Sequence, residues 1–227
     1  MKFNSKAEEK YYYERVAPEA DFLEWYANED LPQYEKPSVT VDNVMLCYDK
    51  EAQQLKMLLI KRIANPFRNC WALPGGFVDK QEATTATCLR ETKEETGIEL
   101  TKEAIYEIGS FSQPNRDPRG WTITISYLAL LPTMPITTAG DDAKEAQWFN
   151  VSIKDEQLLL SFNEQKITID LTSTKSNKTA LAFDHEAIIR RGFKKLLLTE
   201  NQPQLKILIG KTSESKDVEK IMKKLNR

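Results

Sequence analysis

Glu91, Glu94 and Glu95 stand at positions i, i+3 and i+4, a spacing that brings three carboxylates to one face of a helix. Like charges so close repel one another, and a cation nearby relieves that repulsion. An oxygen-only donor set suits Mg²⁺, which keeps several waters and is commonly shared between carboxylates and phosphate oxygens. Mn²⁺ is the natural substitute. Arg90 lies four residues before Glu94, and its planar fork can fix that carboxylate in one rotamer. Glu82 falls near the start of the same helix, where the dipole and free N–H groups favour a negative charge. Gly75 and Gly76 leave a backbone path that a side chain would obstruct, with carbonyls in reach of a metal. Taken alone, the three glutamates are better explained as a solvated helix face.

The elements that must position these groups are legible in outline. Val39–Tyr48 and Leu55–Arg62 are β-rich runs around a polar turn and predict a hairpin. Residues 66–74 read as a loop, followed by the Gly-Gly turn, a helix over Ala83–Thr96, and Gly97 as its stop. Tyr106–Phe111 and Trp121–Leu131 are further strands joined by the polar loop SQPNRDPRG. A short strand follows at Ala146–Asn150, then a second hairpin at Leu158–Phe162 and Lys166–Leu171. His185–Leu198 predicts an amphipathic helix, and Ser215–Leu225 a short basic one. A mixed sheet interrupted by one acidic helix is an α+β pattern. The domain expectation is a helical, aromatic extension over 1–36, a main domain over 37–180 and a C-terminal helical segment over 181–227.

Composition narrows the classes. The chain has 227 residues, 41% hydrophobic and 29% charged, with a net charge of −2, as expected of a globular protein. No apolar run approaches the ~20 residues of a membrane helix, and the polar start is no signal peptide. Cys47, Cys70 and Cys88 are odd in number and lack metal-ligand spacing, which points to structural thiols in a reducing, cytoplasmic setting. The single histidine, His185, excludes a His-pair metal site. From Ile188 to Arg227 there are eleven Lys/Arg against four Asp/Glu, most simply a solvated helical face.

The box segment as a whole is far more specific than its glutamates. Gly76, Glu82, Arg90, Glu91, Glu94, Glu95, Gly97 and Ile98 match G-x5-E-x7-R-E-U-x-E-E-x-G-U. Its seven fixed positions would coincide by chance on the order of 10⁻⁸ per start point. The segment resembles the Nudix hydrolases over about 37–151, with a possible continuation to 198. That resemblance implies an α/β/α sandwich around a mixed sheet, with helical extensions at both termini. It implies Glu91, Glu94 and Glu95 as metal ligands together with Gly75, Arg90 orienting the cluster, and Glu82 supporting the loop–helix turn. The reaction implied is attack of water on a phosphorus of a diphosphate, releasing two monophosphates. The base in this family is a box glutamate or an acid on a later loop, for which Asp141, Asp142 and Glu145 are the candidates here. Thr92 departs from the pattern, which prefers a bulky apolar residue, and predicts a small packing defect.

Substrate choice lies outside the box. Pro114 stands sixteen residues beyond Ile98, a position where proline is associated with the ADP-ribose pyrophosphatases of this family. Arg116 and Arg119 in the same loop are candidates to grip the diphosphate or the terminal ribose, with Arg62 and Arg68 on the other side of the box. Phe67 and Trp71 are candidates for base contact or for packing. The resemblance therefore implies ADP-ribose cleaved to AMP and ribose 5-phosphate. A second branch is similar at both termini: Nudix-related transcriptional regulators of NAD metabolism, sensing ADP-ribose-type ligands. Those carry a winged helix-turn-helix, of which residues after Gly210 leave room for about one helix, so nucleic-acid binding is not expected. Oxidised nucleoside triphosphates are a third substrate class with no positive sign. The aromatic N-terminal segment, and the habit of the ADP-ribose type, predict a homodimer.

Overall fold

The computed structural model describes residues 2–29, 34–140, 143–173 and 180–198, with side chains described as far as 196. The chain divides into two compact units, Met1–Lys36 and Pro37–Arg227. The expected basic helix over Ser215–Leu225 lies outside the described residues, as do Asp141 and Asp142.

The first unit holds two helices, α1 (Lys6–Arg15) and α2 (Glu19–Asn28). Ser5 caps α1 by accepting the Glu8 N–H at 3.1 Å, and Glu8 returns a bond to the Asn4 N–H. The aromatic residues pack on one another, with Tyr13 stacked on Trp25 at 5.0 Å and Phe22 tilted against both Trp25 and Tyr26. The extension over 1–36 thus holds two helices, and the polar residues of α1 carry no apolar periodicity.

The second unit is built on one mixed eight-stranded sheet. Its strands are β1 (Ser38–Asp49), β2 (Gln54–Arg62), β3 (Trp71–Ala72), β4 (Ile105–Phe111), β5 (Thr122–Leu131), β6 (Ala143–Lys154), β7 (Gln157–Phe162) and β8 (Gln165–Asp170). They run in the order β4-β5-β1-β2-β6-β7-β8, with β3 paired to β2. Both predicted hairpins form. Pairs among these strands are antiparallel except β1 with β5, whose parallel register runs from Ser38↔Thr122 to Cys47↔Leu131. Strand β1 is buried from Thr40 to Tyr48 without alternation, as a central strand covered on both faces must be.

The two faces are covered by α3 (Thr84–Thr96) and α4 (His185–Leu198). Alternate residues of β1 point each way. Val41, Met45 and Cys47 join Cys88 of α3, while Val44 and Leu46 join Ile188, Ile189 and Phe193 of α4. The layers are therefore helix, sheet, helix. Helix α4 supplies the core of the same unit, so the described residues of 181–198 pack with the sheet rather than apart from it.

Two local differences have physical causes. β6 runs well beyond the expected 146–150: Phe149, Val151 and Ile153 keep a period of two, but Ala143, Ala146 and Phe149 fall three apart beside the register shift at Lys61/Arg62, so no alternation marks the start of the strand. Thr92 is buried against β1. Its Oγ1 accepts the Asn43 side-chain N–H at 3.1 Å, so a polar pair between helix and strand replaces the apolar contact that the pattern prefers.

Candidate active site

Helix α3 is placed by its two ends. Gly97 closes it in the left-handed conformation (φ 72°), its N–H donating to Lys93 O at 2.8 Å. The chain then returns as a strap: Thr138 N–H donates to Thr96 O and Gly140 N–H to Glu95 O, capping carbonyls of the last turn. At the other end the Gly-Gly turn is sewn to β1, with Val41 N–H donating to Gly76 O and Asn43 N–H to Pro74 O. Gly76 O is thereby committed to the sheet. A Cβ on Gly75 would lie 2.0 Å from Val41 O, and one on Gly76 would lie 2.4 Å from the Glu91 carboxylate. The second glycine is thus a cradle for Glu91.

Arg90 organises the box. Its Nε and Nη2 hold Glu82 at 3.0 and 2.9 Å, and Nη1 donates to Glu91 at 2.7 Å and to Glu94 at 3.0 Å. Nη2 also reaches Phe77 O at 3.1 Å, so one guanidinium ties together the turn, the loop and the helix. Arg90 meets Glu94 as the spacing predicts, but through Nη1 alone; its two-point fork is on Glu82. Glu82 does not cap the helix N–H groups. It accepts instead from Arg90, the Thr87 hydroxyl and Asp79 N–H, and these hold its carboxyl down to about 2. Burial raises the Glu91 pKa against the opposing pull of Arg90, with Glu94 and Glu82 adding to the rise. Glu95 is buried beneath the turn, its Oε2 accepting Gly75 N–H at 2.8 Å.

A cavity of about 370 Å³ opens in front of the box. Gly75, Gly76, Arg90, Glu91 and Glu95 form one side; Arg62, Arg116, Arg119, Phe183 and His185 are on the lining as well. Five of the predicted site residues do not line it: Glu82, Glu94, Arg68, Pro114 and Glu145. Arg68 and Pro114 are exposed. Glu145 sits on β6 opposite Lys61, whose Nζ it accepts at 3.1 Å.

The far wall was not foreseen. The segment before α4 pairs with β3, Trp71 N–H donating to Ala180 O and Ala182 N–H to Trp71 O. This brings Phe183, Asp184 and His185 to the cavity. The buried His185 accepts Leu73 N–H on Nδ1 at 2.8 Å, which leaves the proton on Nε2, 3.2 Å from Asp42 Oδ1. Burial works to raise the Asp42 pKa, but His185 and Arg116 outweigh it and hold the carboxylate below its ordinary value. Arg116 is 4% exposed at its side chain and forks onto Asp184, with Nε to Oδ2 at 2.9 Å and Nη2 to Oδ1 at 2.5 Å. Arg119 forks onto Asp117 and lies over both Phe77 and Phe183, 4.8 and 5.4 Å from their ring centres. Arg62 lies 5.0 Å from the Phe183 ring. Phe67 packs on Phe183 at 4.8 Å, and Trp71 packs in the core on Phe149.

Carboxylates on the box side facing arginines on the other suit an anionic ligand held near a cation. Comparison with known proteins agrees. The model of the NUDIX domain matches residues 36–167. An ADP-ribose pyrophosphatase of Methanocaldococcus jannaschii is 37% identical over 157 residues, 69% of this chain and 73% of that protein. The ADPR responsive transcriptional repressor NtrR of Acinetobacter baylyi is 32% identical over 180 residues, 78% of this chain but 60% of the repressor. Among solved structures, a MutT/nudix family protein from Enterococcus faecalis superposes with a TM-score of 0.93 at 50% identity, covering 98% of this chain and 86% of that one. With the box intact on its helix and the mixed sheet between two helical layers, the chain belongs to the NUDIX domain family.

Proposed function

We propose that this protein is a divalent-metal-dependent pyrophosphohydrolase that cleaves ADP-ribose to AMP and ribose 5-phosphate. The observation that carries the reading is the cavity itself, with Glu91 and Glu95 on the box side and Arg62 and Arg119 on its lining. The relationship to an ADP-ribose pyrophosphatase supports the choice of substrate.

The donor set fits Mg²⁺, or Mn²⁺ in its place. Among the described residues no three carboxylate, histidine or cysteine groups form an ion cage. Mg²⁺ is usually held by one or two carboxylates and substrate phosphates rather than by such a cage. The Gly76 cradle leaves room for the Glu91 carboxylate, which together with Glu94, Glu95 and the Gly75 carbonyl would hold the ion. Bound there, the ion supplies charge neutralisation at the diphosphate and a lowered pKa for a water. Arg90 keeps Glu91 and Glu94 in place while they exchange partners. Arg62 and Arg119 meet the diphosphate, and Phe77 excludes water at the rim. The Glu145 carboxylate is committed to Lys61, which favours a box glutamate over Glu145 as the base.

Incubating the purified chain with Mg²⁺ and a panel of nucleoside diphosphate derivatives tests this. ADP-ribose is expected to turn over fastest, EDTA to stop the reaction, and Glu94→Gln to abolish it. Brisk turnover of another compound, with none of ADP-ribose, would overturn the substrate and leave the reaction class standing.

The relationship to NtrR favours a second reading, an ADP-ribose-responsive regulator with little hydrolysis. Salt-sensitive retardation of duplex DNA, released by ADP-ribose, would support it. A homodimer in a reducing, cytoplasmic setting completes the proposal. No described helix is long and apolar enough to cross a membrane, and all three cysteines are free. Sedimentation equilibrium checks the dimer.

A further inference from the structure

Two cavity-lining segments far apart in sequence meet twice on the side away from the box helix. The loop carrying Arg116, Asp117 and Arg119 joins β4 to β5, and the segment carrying Phe183 and Asp184 leads into α4, whose first residue is His185. The inner meeting is the fork of Arg116 on Asp184, across 68 residues. Asp42 of β1 stands beside it, 3.6 Å from Arg116 Nη2, and its other oxygen is held by His185. The outer meeting, at the cavity mouth, is Arg119 over the Phe183 ring.

The backbone shows what the inner meeting does. Phe183 has φ 50°, in the left-handed region that a bulky side chain avoids. Such a conformation persists only where the surroundings over-determine it. They do so here: Asp184 is forked by Arg116, and His185 is bonded to Leu73 N–H and to Asp42. Both fork-facing nitrogens of Arg116, Nε and Nη2, are spent on Asp184, and two carboxylates flank its charge. A guanidinium so committed has little left to offer a diphosphate.

We infer that Arg116 and Asp184 form a latch that positions Phe183 and Arg119 at the cavity mouth, so that Arg116 acts on substrate binding through Asp184 and not by touching the substrate. This rests on the cavity being the substrate site. The latch is a positioning device, and its loss loosens the mouth without touching the box carboxylates that serve the chemical step.

The test is a cycle of Arg116→Lys, Asp184→Asn and the double variant. It is run on whichever nucleoside diphosphate derivative the wild-type protein turns over fastest, with thermal midpoints recorded. Each single variant is expected to raise KM about tenfold and to leave kcat within about twofold. The double variant is expected to match the singles, because both remove one interaction. In a Phe183→Ala background, Asp184→Asn is expected to add nothing further to KM. Multiplying KM effects in the double variant would overturn the latch, showing that Arg116 meets the substrate on its own account. A fall in kcat with KM unchanged would also overturn it, since that is the mark of a merely structural pair. Should Asp184→Asn fail to fold, Arg116→Lys alone and in the Phe183→Ala background carries the same comparison. If the wild-type protein turns over no member of the panel, the proposed hydrolase fails first; unchanged KM in the variants of an active protein fails the latch alone.

Discussion

Arg90 grips Glu82 at two points, Nε to Oε1 at 3.0 Å and Nη2 to Oε2 at 2.9 Å, eight residues back in the chain. That fork fixes the loop before α3 to the helix, and it leaves Nη1 to face Glu91 and Glu94. A supporting carboxylate on one edge thus aims the guanidinium at the two carboxylates on the other.

Glu82 should therefore contribute to stability in a defined pH window. Hydrogen bonds from Arg90 and Thr87 lower its pKa in the folded state from 4.5 to about 2. A depressed folded pKa means that the contribution is fully present above about 4.5 and is lost as pH falls towards about 2. The thermal midpoint of the wild-type protein should exceed that of Glu82→Gln by a constant amount above pH 5, and the gap should close on acidification. A gap that does not change with pH would refute this account.

The adjacent glycines should fail differently. An alanine at 75 meets backbone, Val41 O at 2.0 Å, at a φ of 155°. Gly75→Ala should destabilise the fold by roughly 2 kcal/mol or more. An alanine at 76 meets only the end of the Glu91 side chain, which can swing away. Gly76→Ala should melt close to wild type yet lose turnover on the order of a hundredfold, the loss also expected of Glu91→Gln. Combining the two changes should cost little more than either alone, as steady-state kinetics will show.

Thr92 offers a test in which a more apolar core is a weaker one. Thr92→Val is close to isosteric and brings the position nearer the family preference. It also strips the partner from a buried Asn43 amide, whose Oδ1 already lacks one. The expected loss is about 1–3 kcal/mol in chemical denaturation, with turnover retained.

Thiol chemistry should separate the three cysteines. Burial pushes the Cys47 and Cys88 thiols up to about 12, while Cys70 is only half-buried. A disulfide reagent added to the native protein should modify one thiol quickly and the other two only after unfolding. Rapid modification of all three would contradict the packing of α3 on β1.

What the sequence made legible was local. Glu91, Glu94 and Glu95 lie within about one turn of each other, Gly97 carries its own stop signal, and the β-rich runs are marked by their own branched and aromatic residues. What stayed hidden depends on chain segments that meet only in three dimensions. Asp42 looks like one polar residue in a buried strand, and His185, with no second histidine to pair with, offered no pattern at all. Their relationship spans 143 residues and exists only because residues 180–182 pair with Trp71. The strand β3, inside what reads as a loop over 66–74, exists by a pairing just as invisible locally, Ile60 with Ala72 and Lys61 with Trp71. The fork of Arg116 had a visible donor, but nothing near it in sequence named Asp184 as the acceptor.

The order of synthesis gives that pairing a further meaning. The whole box has left the ribosome by Ile98, and β5, its parallel neighbour to β1, follows at Thr122–Leu131. Phe183, Asp184 and His185 emerge some fifty residues later still. Until then the nascent chain carries its acidic helix with no opposing wall, and Asp42 waits without its histidine. Competence to hold a ligand is thus deferred until the last described helix docks, which ties a working site to a nearly finished fold.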